Sequence, residues 1–282
     1  MLVNLNDVLY DAQKNHYGVG LFNTIDTDML EAVISAAEEL KSPVIIGTAE
    51  VLLPYGELSL ISPAIINATK RASVPVVVHY DHGVTFERCL EALKLGYSSV
   101  MFDGSAESVE DNLRATAEMV KIAHAFGATV EGEIGHVGQG ASGDNELTDM
   151  YTTPEEAEEF VRKTGVDALA VAIGTAHGAY KTKPKLDICR LAKIRSRIDT
   201  PLVLHGGSGL SDDDFRNTIK NGIAKVNIFT DLCVAGEISM HNDAGLGTNG
   251  MMGYLEARNL KVKAMKEATI NKMLLFGSDG KA

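Results

Sequence analysis

Short apolar segments alternate with segments of helical periodicity along the whole chain. After the first apolar segment, Leu30, Val33, Ile34 and Ala37 repeat at the spacing that buries one face of a helix. The apolar segments are short and almost continuously hydrophobic, which is typical of strands that are buried on both faces. We predict eight strands, at residues 17–23, 43–49, 74–81, 98–104, 129–135, 167–174, 201–207 and 224–231.

Eight strands with helices between them predict an α/β fold, a single (β/α)8 TIM barrel, because eight such units in about 250 residues can close a barrel. An open, doubly wound sheet is the alternative, but the GxGxxG turn typical of one is absent after the first strand. The chain shows no linker or change in composition, so we expect residues 1–282 to form one domain. Residues 135–153 are glycine-rich, polar and long, which indicates a mobile active-site loop or an insertion.

Composition excludes several classes of partner. The chain has 26 Lys and Arg against 38 Asp and Glu, a net charge of −12, which argues against a nucleic-acid or anionic-membrane surface. The three cysteines, Cys89, Cys189 and Cys233, are odd in number and widely spaced, so a reducing compartment fits better than a disulfide framework. We find no signal peptide and no apolar run long enough to span a membrane, and we expect a cytoplasmic protein.

Three histidines follow three different predicted strands. His82, His177 and His205 each stand beside a glycine, where the carboxyl ends of barrel strands gather functional groups. Three imidazoles that converge on an open position are typical of a catalytic zinc site. The alternative is that each one only makes hydrogen bonds at a polar rim. His79 lies on the same face of its strand as Asp81, which makes it a candidate support for the metal ligands.

The segment HGGSG at residues 205–209 indicates a phosphate site. Gly206 and Gly207 let backbone N–H groups approach an anion closely, and Ser208 adds a hydroxyl donor. Barrels often hold phosphate after their last two strands. A simple tight turn is the alternative, and Lys181 in the segment GAYK favours the phosphate interpretation.

Carboxylates at the strand ends are candidates for proton transfer and metal support. Asp81 directly precedes a candidate ligand, and a carboxylate there suits proton transfer with a substrate oxygen. The alternative is that Asp81 caps a helix or supports the metal ligands. Asp103 and Glu133 are candidates for a second cation, for support of the first, or for pairing with lysines.

The segments HYDHG, EGEIG, DALAVAIGTAHGAY, PLVLHGGSG and KVNIFTDL resemble those of the class II, metal-dependent ketose-bisphosphate aldolases, which are lyases. The resemblance runs from the first strand to the eighth, includes the terminal FGSDGKA, and is closest to the tagatose-bisphosphate branch. It implies that His82, His177 and His205 bind zinc and that Asp81 is the proton donor at the cleaved carbon. It also implies a homodimer or homotetramer.

The resemblance further implies a set of substrate and cation contacts. Lys181 falls near a phosphate or a monovalent cation, Na⁺ or K⁺, and Asp103 and Glu133 match a second, displaced metal position. Asn23, at the end of the first strand, is a further candidate substrate contact. The residues that match contacts to dihydroxyacetone phosphate are Gly178, Gly206, Gly207, Ser208, Asn227, Ile228, Phe229 and Thr230.

Two departures from the family pattern bear on the substrate and on the proton shuttle. The family's Pro-Arg pair before the last helix, whose arginine binds the distal phosphate, is Tyr254-Leu255 here, and Arg258 lies one turn further along. The loop reads GQGASGDNE, so the acid that shuttles the carbon-bound proton is Asp144 or Glu146, and we choose Glu146.

We predict zinc-dependent, reversible retro-aldol cleavage of a ketose 1-phosphate or 1,6-bisphosphate to dihydroxyacetone phosphate and an aldehyde. The missing arginine leads to the hypothesis that the distal end of the substrate carries no phosphate. A tagatose- or fructose-1,6-bisphosphate aldolase proper is one alternative, and a Schiff-base enzyme using Lys225 is another. A non-catalytic phosphosugar-binding barrel, or a stabilising subunit of an aldolase complex, is the alternative outside the enzymes.

Overall fold

The structure is a computed structural model that describes residues 1–135, 138–139, 151–177, 184–242 and 251–282. For residues 138, 139, 177, 242 and 252 it describes the backbone alone. Ten helices surround the sheet in this described part of the chain. They are α1 Leu5–Asn15, α2 Thr27–Leu40, α3 Leu58–Arg71, α4 Phe86–Lys94, α5 Val109–Ala125, α6 Pro154–Thr164, α7 Ile188–Arg197, α8 Asp212–Lys220, α9 Thr230–Asn242 and α10 Met251–Phe276.

Eight parallel strands form a closed barrel, and each of them lies within one predicted segment or overlaps it. The barrel closes because β8 pairs with β1, with Val226 opposite Gly20 and Asn227 opposite Leu21. The prediction of a (β/α)8 barrel is therefore confirmed, and the open sheet is wrong. The strands are β1 Val19–Asn23, β2 Val44–Ala49, β3 Val76–Gly83, β4 Ser99–Phe102, β5 Thr129–Ile134, β6 Ala168–Val171, β7 Leu202–Leu204 and β8 Ile223–Ile228.

Apolar side chains fill the amino-terminal half of the barrel interior. Alternate strand residues point inward, so Leu21, Ile45 and Val77 pack inside the barrel while their neighbours face the helices. Helix α1 contributes Leu5 and Leu9 to the same inner cluster and closes that end of the barrel. The opposite end, at the carboxyl ends of the strands, carries polar residues.

An extra residue at the end of β3 allows two consecutive side chains to face the same site. Tyr80 pairs with Val100, but the next pairing joins Gly83 to Phe102, so three steps on β3 match two on β4. His82 has a φ of 50°, a left-handed conformation that histidine adopts more readily than most residues do. Successive strand residues normally point to opposite faces. The bulge removes that alternation for Asp81 and His82.

Helix α10 packs along α2, and charged pairs join their surfaces. The Arg258 guanidinium lies 2.9 Å from Asp28 and 2.5 Å from Glu31, both on α2. Among the described helices, none is long and apolar enough to cross a membrane. The organisation of residues 1–282 as one domain stays a prediction.

The close packing of Gly83 gives a test of the bulge. A Cβ atom at Gly83 would lie 2.5 Å from Cys89 Sγ and 2.9 Å from the Met101 carbonyl oxygen. We expect Gly83→Ala to lower the free energy of unfolding by roughly 1–3 kcal/mol, because the added methyl group overpacks this site. Urea unfolding followed by circular dichroism measures the change.

Gly236→Ala is the matched control, because its added Cβ would meet Lys261 Cγ at an ordinary 3.4 Å. Alanine also favours the surrounding helix by up to about 1 kcal/mol. Equal unfolding midpoints for Gly83→Ala and the wild type would show that the bulge accommodates a side chain.

Candidate functional site

A cavity of about 710 Å³ opens at the carboxyl ends of the strands. Glu50, Val51 and Leu52, in the turn after β2, form part of its wall. Most of the predicted site residues also line it: Asn23, Asp81, His82, Asp103, Glu133, Gly206, Gly207, Ser208, Asn227, Ile228, Phe229 and Thr230. The barrel therefore brings residues from seven of its strands, or from just beyond them, into one space.

Two imidazoles face each other at the base of this cavity. His82 Nε2 lies 2.8 Å from His205 Nδ1, and the rings are almost perpendicular. The second nitrogen of each ring meets a carboxylate: His82 Nδ1 lies 2.7 Å from Asp103, and His205 Nε2 lies 2.7 Å from Glu131. Carboxylates placed this way fix the rings of metal-ligating histidines and point the other nitrogen at the ion.

The third predicted ligand, His177, lies on a short strand, Ala176–His177, that pairs with Gly138–Gln139. Gly206 brings the turn after β7 against this strand. A Cβ atom at Gly206, which has a φ of +65°, would lie only 2.4 Å from the Ala176 carbonyl oxygen. The backbone of residue 177 therefore runs close to His205, while the His177 side chain is outside the described atoms and its role stays a prediction.

Asp81 is buried and charged beside the two imidazoles. Asn23 Nδ2 donates to Asp81 Oδ2 at 2.9 Å, and Asn227 Nδ2 lies 3.1 and 3.2 Å from its two oxygens. Burial alone would raise the pKa of Asp81, but the neighbouring cationic groups, His82 and Lys225 first among them, hold it well below its ordinary value. The cap of helix α4 is Thr85, so the helix-cap alternative for Asp81 is wrong.

The neighbouring carboxylates shift the pKa of His82 in the opposite direction. Burial alone would lower it, but Asp81, Asp103 and Glu133 outweigh that effect and raise it to about 9. Ligand atoms of Asp81, His82 and His205 lie within 4.8 Å of one another, close enough to hold one metal ion.

Asp103 and Glu133 form a second group with His82, and their ligand atoms also lie within 4.8 Å of one another. Ser105 donates its hydroxyl to Asp103 Oδ1 at 2.7 Å, which leaves Oδ2 directed at His82. Hydrogen bonds from His82 and Ser105 overcome the effect of burial and hold the pKa of Asp103 well below its ordinary value. Asp103 is thus hydrogen-bonded to His82, and which of its three predicted roles it performs stays a prediction.

Beneath these residues lies a fully buried polar layer that the sequence analysis largely missed. Lys225 Nζ lies 2.8 Å from Glu131 Oε2 and donates to Asn227 Oδ1 at 2.8 Å. His79 Nδ1 lies 2.8 Å from Ser99 Oγ, and burial above all lowers the pKa of His79 to about 3, so its ring is neutral. Glu131 could have been found from the sequence, because it lies two residues before Glu133 and therefore on the same face of β5.

Three predicted site residues, Glu146, Gly178 and Lys181, lie outside the described residues. Arg258 lies within them but does not line the cavity, because its guanidinium is held on the outer surface by α2.

Comparison with known proteins gives one family. The family model described as "Fructose-bisphosphate aldolase class-II" matches residues 3–281. The chain is 39% identical over 309 residues to a fructose-bisphosphate aldolase of Thermus caldophilus, with 100% of both chains covered. It is 40% identical over 237 residues to a 6-phospho-5-dehydro-2-deoxy-D-gluconate aldolase of Shouchella clausii, covering 83% of this chain and 80% of that protein.

The fold agrees with this result. The crystal structure of the YdjI aldolase from Escherichia coli K12 superimposes with a TM-score of 0.90 and 39% identity, and the match covers 100% of both chains.

The paired imidazoles predict a divalent-cation site that depends on both rings. We expect His82→Ala and His205→Ala each to weaken zinc binding by at least about 100-fold, because each removes a nitrogen donor from the same small cluster. Competition with a chelator of known zinc affinity measures the dissociation constants. His124→Ala is the matched control, because its ring also pairs with a carboxylate, Asp167 at 2.9 Å, but is half-exposed at the surface. Unchanged zinc affinity in both site variants would place the cation elsewhere.

Proposed function

Because the chain belongs to the class II fructose-bisphosphate aldolase family, and is therefore a lyase, we propose that it catalyses a zinc-dependent, reversible retro-aldol cleavage. The products are dihydroxyacetone phosphate and an aldehyde, and the substrate is a ketose 1-phosphate. The observation that carries the proposal is the contact between His82 and His205, each anchored by a carboxylate, next to the buried charge of Asp81.

The donor set fits a zinc ion. Imidazole nitrogens are preferred zinc ligands, and three protein ligands with an open position are typical of catalytic sites. We propose that His82, His205 and His177 are those ligands, with Asp103 and Glu133 able to hold a second, displaced position. A bound zinc ion would supply the electrophile that stabilises negative charge on the three-carbon fragment when the carbon–carbon bond breaks.

Asp81 is placed to move the proton of the substrate hydroxyl. Its carboxylate is charged, since the surrounding cationic groups lower its pKa, and Asn23 and Asn227 fix its direction. In cleavage we propose that it accepts the hydroxyl proton at the carbon being released as aldehyde, and in condensation it returns that proton. A loop carboxylate, for which we propose Glu146, exchanges the proton on the three-carbon fragment.

The phosphate of the three-carbon fragment is proposed to bind on the other wall of the cavity. Gly206, Gly207, Ser208 and residues 227–230 line the cavity, and a glycine-rich turn of this kind is able to present backbone N–H groups to an anion. We propose Gly178 as a further contact and Lys181 as the neighbour of the phosphate or of a bound Na⁺ or K⁺.

The distal end of the substrate is proposed to carry no phosphate. Among the described residues that line the cavity there is no lysine or arginine, whereas Glu50 contributes an acid near Val84. Arg258 is committed to Asp28 and Glu31. By name, the Thermus caldophilus relative acts on a bisphosphate, and the Shouchella clausii relative acts on a sugar acid with a single phosphate. A substrate with a single phosphate fits this cavity better than a bisphosphate does.

Two alternatives are less well supported. A Schiff base on Lys225 requires a free amine in the cavity, but this side chain is fully buried in an ion pair with Glu131. A non-catalytic barrel has no need for the buried charge of Asp81. We further propose a cytoplasmic homodimer or homotetramer.

The experiment is a cleavage assay on a panel of substrates, with release of dihydroxyacetone phosphate coupled to its reduction. We expect kcat/KM on ketose 1-phosphates to exceed that on fructose and tagatose 1,6-bisphosphates by at least about tenfold, since the described residues of the cavity wall offer no lysine or arginine to pair with a second phosphate. Asp81→Asn is expected to lower kcat by at least about 100-fold with zinc still bound, because it removes the proton acceptor.

Asp213→Asn, an identical change at an exposed aspartate of α8, is the matched control and should retain full activity. Equal or faster cleavage of the bisphosphates would overturn the proposal for the distal end alone. No cleavage of any substrate by the zinc-loaded protein would favour the non-catalytic barrel.

A further inference from the structure

Lys225 is a fully buried cation that the proposed chemistry does not use. It lies on β8 inside the barrel, and it does not line the cavity. Removing a cation from water is costly, and a buried ion pair is weak evidence that the pair exists for stability alone. The two partners of its ammonium group, Glu131 in an ion pair and Asn227 in a hydrogen bond, each lead to a different part of the candidate active site.

One connection runs through Glu131 to His205. Lys225 Nζ holds Glu131 Oε2 at 2.8 Å, and the other oxygen, Oε1, lies 2.7 Å from His205 Nε2. A carboxylate held at one oxygen presents the other in a fixed direction, and only a ring with its hydrogen on Nε2 can donate to it. His205 Nδ1 is then the nitrogen that faces His82.

The other connection runs through Asn227 to Asp81. The two ends of an amide have nearly the same shape, so packing alone does not decide which end faces Asp81. An ammonium group can only donate, and Lys225 therefore takes Asn227 Oδ1. This leaves Nδ2 to donate to Asp81, whereas the flipped amide would direct an oxygen at the carboxylate.

We propose that Lys225 is a positioning residue that orients both halves of the active site, His205 through Glu131 and Asp81 through Asn227. The proposal rests on the proposed function for its activity measurements, but its zinc-affinity measurement does not. Lys225 touches neither substrate nor reacting atoms. Its effect is exerted through Glu131, with which it forms an ion pair, and through Asn227, to which it donates a hydrogen bond.

The test compares Glu131→Gln with the double variant Lys225→Met/Glu131→Gln. Removing Lys225 alone would leave Glu131 charged and unpaired in the core, so the double variant restores the charge balance. Glu131→Gln keeps the lysine and its bond to Asn227, and the comparison therefore isolates Lys225. The readouts are zinc affinity by chelator competition, kcat and KM at saturating zinc, and urea unfolding.

We expect Glu131→Gln to weaken zinc binding by about 10–100-fold, the usual effect of losing the partner of a ligating histidine. Relative to Glu131→Gln, the double variant should lose a further factor of about 10–100 in kcat, while KM stays within about threefold because the phosphate wall is untouched. A merely structural ion pair would shift the unfolding midpoint and leave kcat and zinc affinity of the folded protein unchanged.

Each outcome bears on the proposal in a defined way. Values of kcat within about twofold for the two variants would overturn the connection to Asp81. Unchanged zinc affinity in Glu131→Gln, a single isosteric change, would overturn the connection to His205 even if the double variant did not fold. An inactive wild-type protein would contradict the proposed function, while the zinc measurement would still decide the Glu131 connection.

Discussion

The buried negative charge of Asp81 determines how the top of the barrel is built. A carboxylate removed from water is stable only when donors and cations replace the lost hydration. Asn23 and Asn227 supply the donors, and the neighbouring cationic groups, His82 and Lys225 first among them, lower its pKa. The charge that burial opposes is the same one that proton transfer requires, so the residues that keep Asp81 charged also keep it in the form that can accept a proton.

The ionisable groups of the site lie at one end of the barrel, and the apolar core that stabilises the fold lies at the other. Helix α1 and the inward residues of the strands fill the amino-terminal half with apolar side chains, and the ionisable groups gather above them. Between the two lies the layer of His79, Glu131 and Lys225, which contacts the apolar core below and the candidate ligands above. The rim can therefore hold strained and charged groups, such as His82 in its left-handed conformation, on a rigid base.

Much of this arrangement could be predicted from the sequence, because it follows from local patterns. The strands were found since segments such as Val76–Val78 are buried on both faces, and the barrel rule then placed Asp81, His82 and His205 at one end. The Lys225–Glu131 pair was missed because a charged residue in an apolar strand gives no sign of its partner until the barrel closes. The bulge was also missed, since it depends on the pairing of β3 with β4. The roles of Glu146 and Lys181 stay predictions.

Exchange of the C3 proton of dihydroxyacetone phosphate in D₂O, followed by NMR with and without a chelator, tests the central claim most directly. It needs no assumption about the aldehyde. The account predicts exchange that is abolished when the chelator removes the metal and restored when zinc is added. No exchange with the zinc-loaded protein, or exchange that continues after complete removal of the metal, would contradict it.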